Sequence, residues 1–274
     1  MAIIYLYLLS HFGYDCFYKQ NPKGFSQQKK NTEDEQKLKS TLEQFAKIKG
    51  PKILVHGGGK SATTWSKKLG LTPKIIEGRR VTDLATLDVV TMVYAGLYNK
   101  KIVSILQAIP CNALGLTGAD LNLIQSHKRV FKDIDYGFAG DIDFVETTIL
   151  QQLLNNDVTP VFCAITHDKN GHLLNTNADT IASELAVALA HFFKTTLKFC
   201  FEKNGVLKNP EDDNSIIEKI SFKDFQKYKH AGIISEGMIP KMDNAFFALK
   251  NKVEKVFICG SKAIHHQSGT LIQL

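Results

Sequence analysis

Apolar positions along the chain come in short runs that alternate with amphipathic stretches. Lys52-Ile53-Leu54-Val55-His56 is an apolar run of the β type, and three glycines end it. Residues 59–69 then put Ala62, Trp65 and Leu69 on one side of a helix. Val81-Thr82-Asp83 opens a long helical stretch to residue 108, with Thr82 the expected N-cap and Asp83 suited to the positive helix start. Residues 112–116 read as a strand that stops at Thr117-Gly118, and Gly137 and Gly140 between extended pieces predict a hairpin within 128–145. A helix over 146–155, a buried-type strand over 158–165, an Ala/Leu-rich helix over 179–191 and a strand over 196–201 follow. Helices near 221–231 and 240–250 precede a last strand over 253–259. This alternation predicts an α/β fold with a mainly parallel central sheet and helices on both faces. Ligands in such sheets bind at the carboxyl ends of strands, and the polar and glycine-rich residues of this chain collect there.

With 44% hydrophobic and 22% charged residues over 274 positions, the composition is that of a globular chain with a sizeable core. Disordered, collagen-like and coiled-coil chains are excluded. Basic residues exceed acidic ones by seven, and residues 19–60 hold ten Lys against four acids. The rest of the chain is therefore nearly neutral. No basic face interleaved with aromatics and no known nucleic-acid module is visible, so no nucleic-acid partner is expected. The five cysteines are odd in number and widely spread, without C-x-x-C spacing, which predicts neither a disulfide framework nor a structural metal site. Ala2 to Leu9 is apolar but too short to span a bilayer, and it lacks the flanks of a signal peptide. A cytoplasmic protein with no membrane association is expected.

Four segments carry candidate chemistry. His56-Gly57-Gly58-Gly59-Lys60-Ser61 lies between a strand and a helix, where glycines admit an anion to free N–H groups. It is not a P-loop, because Leu54 stands where that pattern needs glycine. A ligand-free turn remains its plain reading. Gly78-Arg79-Arg80-Val81-Thr82-Asp83 offers an arginine that can clamp a carboxylate, or a solvated basic pair. Asn175-Thr176-Asn177-Ala178-Asp179 sets two amides and a carboxylate directly before a helix; N-capping by Asn177 would explain only one of them. In Gly237-Met238-Ile239-Pro240-Lys241 the proline suits a first helical position, and the lysine sits against the helix dipole, as it would beside an anionic ligand. No Ser/His/Asp or Cys/His nucleophile set stands out. Positioning groups and cations without a covalent nucleophile are what phosphoryl transfer requires.

Taken in order, H-G-G-G, G-x-R-V-T, N-x-N-A-D and G-M-I-P-K resemble the acetylglutamate kinases of the amino acid kinase family, as do Gly115-Leu116-Thr117-Gly118-Ala119-Asp120 and Gly269-Thr270. The resemblance covers residues 36–274. It implies a three-layer α/β/α sandwich in a single domain, with an acyl-glutamate lobe over 36–160 and an ATP lobe over 161–274. The implied reaction phosphorylates the γ-carboxylate of N-acetyl-L-glutamate with ATP, the second step of arginine biosynthesis. Succinylated glutamate is the alternative substrate. By matching positions, Gly58 and Gly59 would donate backbone N–H groups, Arg80 would grip the α-carboxylate, and Asn175 and Asn177 would bind the same substrate. Lys241 would stabilise the transferring phosphoryl, and Asp179 would orient the lysines of the site. Glu202, Lys203, Asn204, Gly205, Val206 and Leu207 would lie along the nucleotide, with Mg²⁺ arriving on ATP. A homodimer is expected from the same resemblance.

The start of the chain departs from the family pattern, which begins with a strand ending in Lys-x-Gly-Gly. Counting back from His56 puts that lysine near Ser26, where Gly24-Phe25-Ser26-Gln27-Gln28-Lys29-Lys30-Asn31-Thr32 has no glycine pair and no β-type run. Residues 1–35 are therefore expected to be an atypical segment, with the strand missing and Lys19 to Thr32 loosely attached. Two classes follow: an active kinase in which Lys29 or Lys30 substitutes, or a weakly active or inactive paralogue that binds acylglutamate or nucleotide.

Overall fold

Eight strands form one sheet in the computed structural model, which describes residues 2–9, 25–76, 79–131, 134–209, 211–234, 237–261, 264 and 268–274, leaving out the side chains of 25–33. Their order is β12 (Lys219–Ser221), β14 (Thr270–Gln273), β13 (Lys255–Gly260), β11 (Lys194–Phe201), β1 (Ile3–Leu9), β2 (Lys52–His56), β8 (Thr159–Cys163) and β5 (Ala113–Leu116). All neighbours run parallel except β13 and β14. β2 and β8 are buried along their whole length. Such continuous apolar runs are what parallel strands covered on both faces require.

Helices cover the two faces. α5 (Thr147–Asn155), α6 (Ala178–Leu189), α7 (Phe222–His230) and α8 (Ile239–Lys250) share one core with Ile4, Leu6, Leu8, Ile53 and Val55. On the other face lie α1 (Phe25–Ala46), α2 (Gly59–Lys68), α3 (Leu84–Thr91) and α4 (Asn99–Gln107), which pack with Tyr7, Leu9 and Leu54. The alternate residues of β1 and β2 thus feed opposite cores, as the two-residue period of a strand dictates. A π-helical stretch, Met92–Tyr98, joins α3 to α4. β6 (Ile124–Phe131), β7 (Ile134–Val145), β9 (Ile165–His167) and β10 (Leu173–Thr176) form a small sheet closed on itself, and β3 (Ile75–Ile76) pairs with β4 (Arg79–Arg80). No helix among the described residues is long and apolar enough to cross a membrane. Cys111, Cys163, Cys200 and Cys259 are buried free thiols.

The mainly parallel α/β sandwich agrees with the sequence pattern, but several local expectations change. The strand expected to be missing is present. Ile3–Leu9 lies in the middle of the sheet, with Leu9 in register with His56 on one side and Cys200 on the other. Its run of apolar residues is buried because both faces are covered. It does not supply Lys-x-Gly-Gly, since the first lysine of the chain is Lys19. Helix α1 begins at Phe25, so much of the stretch expected to be loose is helical, with Leu38, Leu42 and Phe45 buried on the core-facing side. Lys19 lies outside the described residues, as do the side chains of Lys29 and Lys30. At the start of α3 the cap is Asp83, whose carboxylate accepts from the Thr86 N–H at 2.8 Å. Thr82 is unavailable because it is buried and its backbone exchanges bonds with Tyr136 and Phe138 of β7. β14 was not legible: four residues, antiparallel to β13, give too short a pattern.

Candidate active site

β2 delivers His56 to the sheet edge, and Gly57-Gly58 turn the chain into α2. Gly58 occupies the cap position with no side chain to satisfy the helix N–H groups, which leaves them available to an anion. A Cβ on Gly58 would come within 2.8 Å of the Tyr94 ring, whereas one on Gly59 would meet nothing within 4 Å. Gly58 is thus required by the close approach of Tyr94, and Gly59 faces open space. His56 is fully buried. Its Nδ1 donates to the Gly57 carbonyl at 2.9 Å, and its Nε2 accepts from Asn99 Nδ2 at 3.2 Å. Burial pushes its pKa down to about 4. His56 is therefore a neutral spacer beneath the glycines and has no free nitrogen for acid–base work.

The short ribbon of β3 and β4 holds Arg80 over the same turn. Its Nη2 donates to the Gly59 carbonyl at 3.1 Å and to Thr63 Oγ1 at 2.7 Å. Its Nη1 is buried with no partner. A buried unpartnered donor costs about 1–3 kcal/mol, so the free site favours an incoming acceptor. Arg79 borders the same space and, among the described residues, makes no side-chain hydrogen bond or ion pair.

β10 supplies the opposite wall. Asn175 Nδ2 donates to Thr82 Oγ1 at 3.0 Å, and Thr176 lies in register with Gly140 of β7. A Cβ on Gly140 would stand 2.7 Å from Thr176 Oγ1, so this wall tolerates only glycine there. Asn177 caps α6, accepting from the Thr180 N–H at 3.1 Å. The plain capping role thus holds, although Asn177 also faces the cleft. Together these elements enclose about 370 Å³, bordered by Gly58, Gly59, Arg80, Asn175 and Asn177. All five residues expected to bind the acyl amino acid are brought together.

The expected catalytic pair lies beside this space and does not line it. Asp179, in the first turn of α6, forms an ion pair with Lys241 in the first turn of α8. Lys241 is only 3% exposed and lies over the Phe199 ring, 5.1 Å from its centre. Its placement against the dipole of α8 is offset here by Asp179.

The segment after β11 divides in two. Glu202, Lys203 and Asn204 are exposed, with Glu202 3.2 Å from Lys60 and Lys203 2.7 Å from Asp213. Gly205, Val206 and Leu207 are buried, and the Val206 N–H donates to Thr270 Oγ1 at 2.8 Å. The first three can meet a ligand with their side chains, while Gly205 and Val206 fasten the loop to the start of β14 and Leu207 pairs with Ile216. Apolar Val206-Leu207 within a polar loop was the signal for that anchor. Lys60 and Thr176, within the segments singled out above, also border the cleft, as do Thr63, Tyr94, Ala139 and Gly140, which were not expected. They converge from distant parts of the chain, and only the close approaches at Gly58 and Gly140 reveal them.

The family model described as the amino acid kinase family matches residues 29–260. The chain belongs to the amino acid kinase family. This amino acid kinase is 52% identical over 244 residues to acetylglutamate kinase of Bacteroides fragilis, covering 89% of this chain and 94% of that one. It is 51% identical to acetylglutamate kinase of Parabacteroides distasonis over 89% of this chain and 95% of that one. Among solved structures, smu.665 from Streptococcus mutans UA159 superposes with a TM-score of 0.75 at 24% identity over 98% of each chain. Carbamate kinase from Giardia lamblia bound to AMP-PNP gives a TM-score of 0.63 at 15% identity, covering 99% of this chain and 98% of that one. These likenesses agree with the fold. The matched family segment starts after β1, so the sheet position between β2 and β11 is filled from outside it.

Proposed function

We propose that this amino acid kinase transfers the γ-phosphoryl group of ATP to the γ-carboxylate of N-acetyl-L-glutamate, giving N-acetyl-L-glutamyl 5-phosphate and ADP, the second step of arginine biosynthesis. The observation that carries the reading is the convergence of Gly58, Gly59, Arg80, Asn175 and Asn177 on one cleft at the carboxyl end of β2. The relatives named acetylglutamate kinase at about half identity support it. A γ-carboxylate with an ordinary pKa near 4.3 is already ionised at neutral pH, so no general base is required. Repulsion between two anions must be offset, and backbone N–H groups, Arg80 and Lys241 would do that. Asp179 holds Lys241 in place. Glu202, Lys203 and Asn204, on the loop fastened by Gly205 and Val206, would border the nucleotide. Mg²⁺ would come with ATP, held mainly by phosphates and water. Residues 36–160 would then form the acyl-glutamate lobe and 161–274 the ATP lobe. The family resemblance supports a cytoplasmic homodimer.

One observation favours succinylated glutamate as a second reading. Arg79 brings to the cleft a second guanidinium that has no ion-pair partner among the described residues. An acyl group carrying its own carboxylate would give it one. A coupled ADP-release assay with N-acetyl- and N-succinyl-L-glutamate, run on wild type and R79L, decides. Loss of succinyl turnover in R79L with acetyl turnover retained supports the second reading, and a preference for acetyl in both supports the first. No ADP release with either substrate would leave a binding paralogue and refute the kinase reading.

A further inference from the structure

Lys60 is the residue of the glycine turn that the reading above leaves without a role. It stands in the first turn of α2, where the helix dipole disfavours a cation. Yet it borders the acyl-glutamate cleft, and its Nζ lies 3.2 Å from Glu202 Oε1. Glu202 follows β11, and Lys60 follows β2. β1 lies between those two strands, so a spacing of about 4.8 Å per strand separates their ends by about 10 Å. Lys60 therefore reaches from the cleft to the loop read as bordering the nucleotide, on the line a phosphoryl group would travel. Both partners are largely exposed, at 59% and 63%, so their ion pair is weak and readily exchanged. Lys241, by contrast, is buried against Asp179 and Phe199 and stands off the cleft.

We propose that Lys60 is a phosphate-binding residue of this site, which leaves Glu202 for the γ-phosphoryl oxygens of ATP when the nucleotide enters. The proposal rests on the kinase reading above. As a carboxylate oxygen of the acceptor forms its bond to the γ-phosphorus, the bond from that phosphorus to the β-bridging oxygen breaks, and ADP leaves with the electron pair. Lys60 donates hydrogen bonds to the phosphoryl oxygens throughout and gives up no proton. A triphosphate carries several negative charges against the single charge of Glu202, which favours the exchange. Released Glu202 returns to solvent, where a carboxylate needs no partner.

The test measures MgATP and N-acetyl-L-glutamate binding by calorimetry for wild type, K60A, K60R and E202Q. K60A is expected to weaken MgATP at least tenfold, the loss of one charge-assisted contact, with acyl-glutamate affinity within about twofold of wild type. K60R should recover most of the loss, and turnover in K60A should fall in kcat as well as in apparent affinity for ATP. E202Q breaks the same ion pair but keeps the cation, so it should weaken MgATP less than K60A. Equal losses in K60A and E202Q would make the pair a simple tie between two loops and overturn the proposal. Unchanged MgATP affinity in K60A would overturn it while leaving the kinase reading intact. A wild-type chain that binds acyl-glutamate but no MgATP would overturn both.

Discussion

Replacing Arg80 with alanine tests the construction of the cleft most directly. In the free protein the guanidinium makes two bonds through Nη2, to Gly59 and Thr63, and leaves Nη1 buried and unpaired. The two bonds contribute about 1 kcal/mol each, and the unpaired donor costs about 1–3 kcal/mol, so the fold should be nearly indifferent to the change. A net effect within about 1 kcal/mol moves Tm by no more than about 4 °C in a chain of this size. Ligand binding should not be indifferent. On the proposed reading the α-carboxylate would accept from Nη1 in a charge-assisted bond of about 1.5–3 kcal/mol, which R80A would forfeit, equivalent to about 10- to 150-fold in affinity. R80K keeps the charge but cannot span Gly59, Thr63 and a ligand with one ammonium, and should fall between. Calorimetric titration with N-acetyl-L-glutamate and, separately, with MgATP reads the effect, with scanning fluorimetry for Tm. Unchanged acyl-glutamate affinity with weakened MgATP would refute the placement of the substrate against Arg80.

Two other outcomes are expected. On the proposed reading Lys241→Ala should lower kcat by about 10²–10³ with smaller changes in either KM, measured in the coupled assay, since a contact to the transferring phosphoryl would be made mainly in the transition state; wild-type turnover would mean that Lys241 only holds α8 to α6. His56 should make stability depend on pH. Its folded pKa, pushed down to about 4 by burial, lies below the ordinary 6.5, so the unfolded chain binds the extra proton and stability rises with pH. That contribution, about 3 kcal/mol, is complete above pH 6.5 and is lost as pH falls toward 4. Tm curves of wild type and H56N between pH 7 and 4.5 check it, since H56N should lose about one proton of slope.

The parallel sheet was legible because β2, β8 and β13 are mainly apolar runs and the segments between the strands have helical periodicity. β1 has the same character. It was passed over because spacing from His56 pointed to Ser26, and spacing does not reveal how much chain separates β1 from α1. The wall of the cleft was legible from polar residues gathered at strand ends. Tyr94 and Gly140 were not, since an aromatic inside a helix and a glycine inside a hairpin acquire a role only through the tertiary contacts at Gly58 and Thr176. The cap of α3 shows the same limit: Thr82 and Asp83 are equal candidates locally, and the bonds of Thr82 to β7 decide between them.

The π-helical stretch between α3 and α4 bears on how such a cleft can change. A π-turn behaves as one extra residue accommodated within an α-helix. Here it carries Tyr94, which sets the approach to Gly58, and Tyr98, whose hydroxyl meets Ser61 of α2. Deleting one residue from Met92–Tyr98 would restore an α-helix while leaving the phase of α3 and of α4 intact. Asn99 would still reach His56 and the Val161 carbonyl. The part of the cleft wall that Tyr94 forms therefore rests on an insertion that can be removed or moved along the helix without disturbing the scaffold on either side, a route by which a lineage could reshape the cleft in single-residue steps.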